Sequence, residues 1–169
     1  MTRFRITLCV AAAVLVSSAL FGAPTAEILD AGIIAPAGPQ ERIEDPTSAT
    51  GFRWHGDGTF TSHTIVVPAT QGMAFGISFR VDGIPASETR YTQKVTSPPL
   101  KKPDGTVVTE QVSYQQLANN HGTIYGKLYY TLRESYEVVP GEWTLAIYMG
   151  PNQLVSQKFF VRSSATKPQ

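Results

Sequence analysis

The sequence predicts an all-β fold in which two antiparallel sheets of about eight strands in total pack face to face. Three observations predict it. Short runs alternate apolar and polar residues at a period of two, turn residues separate these runs, and no run reads convincingly as a helix.

The first expected strand is residues 27–35, EILDAGIIA. Residues 36–51, PAGPQERIEDPTSATG, follow as a long connection whose three prolines and two glycines oppose regular structure. Gly56-Asp57-Gly58 reads as a turn, and residues 59–67 as the next strand. Residues 73–81 give the clearest alternation, because Met73, Phe75, Ile77, Phe79 and Val81 share one face. Asp82-Gly83 ends that run. Residues 89–96 place Tyr91 and Val95 on one face. SPPLKKPDG is then a proline-stiffened loop, with Asp104-Gly105 as a hairpin turn into residues 106–114.

Residues 123–132 align Ile124, Leu128, Tyr130 and Leu132, with Gly126 as a bulge or a point of close approach. In the last pair Trp143, Leu145, Ile147 and Met149 form one face. Gly150-Pro151-Asn152-Gln153 turns the chain, and Val155, Phe159 and Val161 return. Each strand keeps one polar side, as antiparallel sheets allow. The expected architecture is therefore a two-sheet sandwich of immunoglobulin-like type, with a closed barrel as the alternative.

The chain has 169 residues, enough for one domain with its own core. Arg3 and Arg5 precede an apolar run from Ile6 to Leu20, and small residues follow. This is the layout of a secretory signal, with cleavage expected near Ala23 to Ala26. The division expected is residues 1–26 as signal peptide, 27–162 as a single sandwich domain and 163–169 as a disordered tail. The protein is thus expected to be exported, periplasmic or secreted, without membrane insertion once the signal is removed.

Cys9, the single cysteine, lies inside the apolar run. A processed chain would contain none, which excludes disulfides, thiolate catalysis and cysteine-ligated zinc. Removing Arg3 and Arg5 lowers the basic count from 14 to 12 against 13 acidic residues, a net charge of −1. No basic run remains to track a phosphate backbone, so nucleic acid is not an expected partner.

Two stretches carry a resemblance: GFRWHGDGTFTSHTIVVPATQGMAFGISFRVDGIP and YEVVPGEWTLAIYMGPNQLVSQKFFV. Thr50-Gly51, Ile65-Val66-Val67-Pro68, Gly72, Phe75-Gly76 and Pro140-Gly141 with Trp143 resemble an uncharacterised family of bacterial exported proteins, domain of unknown function 3859. The resemblance spans nearly all of the chain after the signal. It implies a small β-sandwich with no established activity and supplies no catalytic residues. Chain physics accounts for most of these positions: Pro140-Gly141 fits a tight turn before a strand, and Trp143 fills space between sheets.

Catalytic motifs are missing from the sequence. Gly76-Ile77-Ser78-Phe79-Arg80 lacks the second glycine of a nucleophile elbow. Gly56-Asp57-Gly58 precedes a strand, not the helix that a phosphate-binding loop requires. His55 and His63 stand eight residues apart, with Asp57 between them and His121 distant. That spacing does not predict a zinc site. Blue copper needs a cysteine, and Met73 and Met149 occupy core positions. No metal and no cofactor are expected. Glu44-Asp45 and the group Glu134, Glu137 and Glu142 read as solvated surface, not as a facing pair for glycoside hydrolysis.

Phe52, Arg53, Trp54 and His55 form the candidate binding surface. Two aromatics, a guanidinium and an imidazole lie between Gly51 and Gly56, and such residues are enriched in recognition hot spots. The competing reading has Phe52 and Trp54 plugging one end of the sandwich. Tyr125, Tyr129, Tyr130 and Tyr136 make a second aromatic concentration, with Tyr125 and Tyr129 expected to face away from Leu128 and Tyr130. The expected function is that of a non-enzymatic binding module of the cell envelope, contacting another envelope protein or a polysaccharide. The alternatives are a carbohydrate-active or hydrolase accessory domain with a loop-borne site and, behind it, a periplasmic metal carrier.

Overall fold

In the computed structural model the run expected over residues 73–81 forms β4 (Ala74–Asp82). Phe75, Ile77, Phe79 and Val81 are all fully buried, as a period of two on one covered face requires. The structure describes residues 23–46, 51–117 and 122–163, with the backbone alone for Gln40 and residues 53–56. Residues 1–22 of the expected signal, His121 and most of the expected tail lie outside the described residues, whereas Thr25 and Ala26, expected at the end of the signal, open β1 and pair with Asp82 and Val81.

Nine strands are present among the described residues. They are β1 (Thr25–Glu44), β2 (Phe52–Ser62), β3 (Val66–Pro68), β4, β5 (Arg90–Lys101), β6 (Val107–Gln116), β7 (Thr123–Thr131), β8 (Gly141–Met149) and β9 (Asn152–Arg162). One sheet has the order β2-β1-β4-β7 and the other β3-β9-β8-β5-β6. Every pairing is antiparallel except that of the three-residue β3 with β9. The two-sheet sandwich is thus observed, with nine strands against the eight or so expected.

Four aromatic rings lock the sheets together. Phe75 and Tyr130 come from the four-stranded sheet, and Trp143 and Phe159 from the other. Phe75 meets Trp143 edge-on at 5.8 Å and Phe159 at 5.1 Å, while Tyr130 lies 5.0 Å from Trp143. Such pairs add roughly 0.5–1.5 kcal/mol each beyond the area they bury. Trp143 is fully buried, and its indole N–H donates to the Val139 carbonyl at 3.2 Å.

Three sequence expectations are corrected. Residues 36–44 are not a loop: β1 continues through them as an arm paired only with β2. Past Ile34 the strand leaves β4, so one of its sides is a free edge where proline's missing N–H is tolerated. The irregularity between Ala37 and Glu41 absorbs Gly38 and Pro39. Gly56-Asp57-Gly58 is not a turn but lies inside β2. The strand expected over residues 59–67 is broken, because the chain leaves one sheet at Ser62 and joins the other at Val66.

The proline-stiffened loop expected over residues 97–105 is also shortened, because β5 runs on to Lys101 with a register shift between Thr96 and Leu100. Asp104-Gly105 turns β5 into β6, with Lys102 N–H donating to the Thr106 carbonyl at 2.8 Å and Thr106 N–H to Asp104 Oδ1 at 2.9 Å. Gly141 has φ +144°, a backbone state that disfavours side chains, and a Cβ there would stand 2.7 Å from Pro98.

Candidate functional site

The inner face of the five-stranded sheet changes character from one side to the other. Directly paired residues share a face, so Val95 beside Leu145 and Gln111 beside Val95 mark one row across three strands. The next row runs Val155, Ile147, Gln93, Ser113. Both rows are apolar at β8 and turn to amide or hydroxyl at β6. Gln115, opposite Tyr91, continues the polar end. β6 therefore brings an amide shelf to a position where a sandwich strand ordinarily brings core.

Across from this shelf stands β7, the edge of the other sheet. Its inward positions include Gly126, where any Cβ would collide with the Phe79 ring. The missing side chain lets Phe79 reach Tyr91, the two rings meeting edge-on at 5.8 Å. A small residue on one edge and polar residues on the other leave the two edges apart. Between them and around β7 opens a cleft of about 790 Å³, which the β1–β2 arm borders through Pro39, Phe52 and Asp57.

The floor of the cleft is a polar network. Gln111 Nε2 donates to the Tyr130 hydroxyl at 3.0 Å, and that hydroxyl donates to Glu137 Oε1 at 2.6 Å. Glu137 Oε2 accepts the backbone N–H groups of Arg133 and Glu134, each at 2.8 Å. Glu137 is 2% exposed, in a 3-10 turn between β7 and β8. It is therefore not the solvated carboxylate expected from the sequence. Burial, reinforced by the Glu137 carboxylate, raises the Tyr130 hydroxyl far above the usual tyrosine range.

Gln93 Nε2 donates to the Lys127 carbonyl on the free edge of β7 at 3.1 Å. Gln115 Nε2 is buried and has no hydrogen-bond partner. On the outer side of β7, Tyr125 is 72% exposed. Tyr129 is half-buried, and burial raises its hydroxyl despite the opposing Arg133 charge. Both face away from Leu128 and Tyr130, as alternation predicts. Lys127 Nζ donates to the Gly58 carbonyl at 2.8 Å and ties the arm down over this face.

The sequence-predicted site is only partly assembled here. Phe52 lines the cleft, and the Arg42 guanidinium lies 3.9 Å over its ring. Arg53, Trp54 and His55 are not in a loop: they pair with Ile43, Arg42 and Glu41 as the opening of β2. A strand forms because β1 runs on past the sheet and supplies a partner. Among the described residues no three metal-ligating side chains converge. His63 Nδ1 instead lies 2.6 Å from Asp30 Oδ1. No helix among the described residues is long and apolar enough to cross a membrane.

Fold and cleft define the class, an immunoglobulin-like β-sandwich with a cleft of mixed amide, aromatic and aliphatic lining along one open side. The chain belongs to the family described as a domain of unknown function, DUF3859, which it matches over residues 24–161. No curated protein matches it in sequence. It is similar to a crystal structure of an immunoglobulin-like protein from Pseudomonas aeruginosa, at 26% identity and a TM-score of 0.55, over 76% of this chain and 96% of that one. A fainter likeness, to the DNA-bound alkylpurine DNA glycosylase AlkC of Pseudomonas fluorescens, covers 58% of this chain and 28% of that one. At 14% identity and a TM-score of 0.43 it carries no argument.

Proposed function

We propose that the protein is a non-enzymatic binding module of the cell envelope and that the cleft between β6 and β7 is where it binds. The observation that carries this reading is the amide shelf of Gln93, Gln111 and Gln115 on the inner face of a sandwich sheet. Core positions given to polar side chains lower the apolar burial that stabilises a domain. A recognition role supplies a reason to keep them.

The chemistry around the shelf favours binding over catalysis. The buried carboxylate, Glu137, is engaged at both oxygens by Tyr130 and by two backbone N–H groups. A carboxylate held on both oxygens in this way is not free to act as the acid or base that glycoside hydrolysis requires. Export belongs to the same proposal and is supported by Arg3, Arg5 and the apolar run after them. The mature chain then begins between Ala23 and Glu27, and intact-mass measurement of the native product with Met1 retained would reverse this.

Phe52, Arg53, Trp54 and His55 enter the proposal as a neighbouring contact segment, since Phe52 borders the cleft. Capture of envelope components by the wild type, Tyr125→Ala and Arg53→Ala proteins, with thermal melts beside it, tests the reading. Tyr125→Ala weakens capture by ~1 kcal/mol or more while the melting temperature stays unchanged. Capture at wild-type strength by both variants contradicts it.

A further inference from the structure

We infer that the cleft takes an uncharged oligosaccharide, a reading that rests on the binding role proposed above and names its ligand class. The volume of about 790 Å³ falls within the ~300–1,000 Å³ typical of small-ligand sites. Four features of the lining narrow the chemistry.

The first is the mixture of hydrogen-bonding groups. A side-chain amide offers two donors and an acceptor, and a serine hydroxyl offers both roles. Gln93, Ser113 and Gln115 thus present donors and acceptors side by side, which matches sugar hydroxyls, themselves both donor and acceptor. Second, Gln115 Nε2 is buried without a partner. An unmet buried donor is destabilising by itself, and a ligand hydroxyl or ring oxygen would satisfy it.

The third feature is aromatic. Tyr91 adds a partly covered ring on the shelf side, while Tyr129 and the exposed Tyr125 stand on the outer side of β7, where the cleft passes around that edge strand. Flat rings suit the C–H faces of a pyranose, which are apolar although its rim is polar. The fourth concerns charge. Lys127 is held by the Gly58 carbonyl and Glu137 by its three donors, while Arg133, Asp45 and Asp57 each already have an interaction partner. Among the described lining residues, each charged side chain thus already has a partner, which favours an uncharged ligand over an ionic one.

An extended peptide adding to the edge of β7 is the competing occupant. The Gln93 amide already satisfies the Lys127 carbonyl on that edge, in the place where an added strand would donate. The edge is therefore capped at mid-strand, and the lining favours the saccharide.

The test is a nuclear magnetic resonance titration of the native, processed protein with cellotetraose, chitotetraose and maltotetraose, at concentrations that detect a Kd of ~1 mM. At least one saccharide shifts the Gln93, Gln111 and Gln115 side-chain amide signals, and Tyr125→Ala weakens it ~10-fold at unchanged melting temperature. Gln115→Leu also weakens binding, yet it holds or raises the melting temperature, because it removes an unpartnered donor. Binding unaffected by both substitutions overturns the inference, as does no shift with any of the three sugars. An extended peptide that instead shifts the β7 backbone amides overturns it in favour of strand addition. Those failures leave partner capture intact, whereas failure of the binding reading abolishes the dependence of capture on Tyr125 as well.

Discussion

The Tyr130 hydroxyl donates to Glu137 Oε1 at 2.6 Å, tying the inner face of β7 to the turn that leads into β8. The same turn supplies the backbone N–H groups that hold Glu137 Oε2. One carboxylate thereby fixes the chain crossing from one sheet to the other, and its tyrosine partner forms the cleft floor. Fold and candidate site share this contact.

Tyr130→Phe keeps the ring and removes the hydroxyl. It should lower stability by ~1.5–3 kcal/mol, the range for a hydrogen bond to a charged group. It should also change the alkaline response. The folded Tyr130 binds its proton more tightly than a free tyrosine, whose ordinary value is 10.0. The stability this contributes is fully present below that pH and is lost as pH rises above it. Urea denaturation at about pH 8 and about pH 11 should show a smaller loss in Tyr130→Phe than in wild type. Tyr129 and Tyr136, raised by burial, and Lys94, raised by its hydrogen bond to Glu110, contribute to the loss that remains. Equal losses in the two proteins would contradict the assignment.

Trp143→Ala should be among the most damaging single changes. The side chain is fully buried against Phe75 and Tyr130 and makes its own hydrogen bond. A loss of ~3–5 kcal/mol is expected in chemical denaturation. A change below ~1 kcal/mol would show that the aromatic cluster does not join the sheets.

Gly126→Ala tests how the cleft is kept open. The added methyl meets the Phe79 ring, against which Tyr91 packs edge-on, so the two rings must shift together. Overpacking of this kind costs ~1–3 kcal/mol. The Phe79 and Tyr91 ring resonances should move together. Wild-type stability with unmoved rings would mean that Gly126 has no packing role.

Strand periodicity made the core legible. Spacing alone puts Phe75, Ile77, Phe79 and Val81 on one face, and all are buried. The β1 extension was not legible, because Pro36, Gly38 and Pro39 argue against a strand unless it is known that one side of it is a free edge. The cleft was hidden for a related reason. Gln111, Ser113 and Gln115 alternate as an ordinary solvent face would, and only their pairing with Val95, Gln93 and Tyr91 shows that they point inward. Glu137 reads as a solvated carboxylate in the sequence because its partners are two backbone N–H groups and a tyrosine on another strand. The usable signal was Gly126, a glycine within an otherwise apolar face.

The most direct measurement is site-specific photo-crosslinking in living cells. One crosslinking residue replaces Ser113, on the cleft shelf, and another replaces Ser156, exposed on β9. Two forms of the protein are compared at each position, with and without Tyr125→Ala. The account predicts a defined adduct from position 113 that fades with Tyr125→Ala, and only background from position 156. Equal labelling from both positions, unchanged by Tyr125→Ala, would contradict a binding role for the cleft.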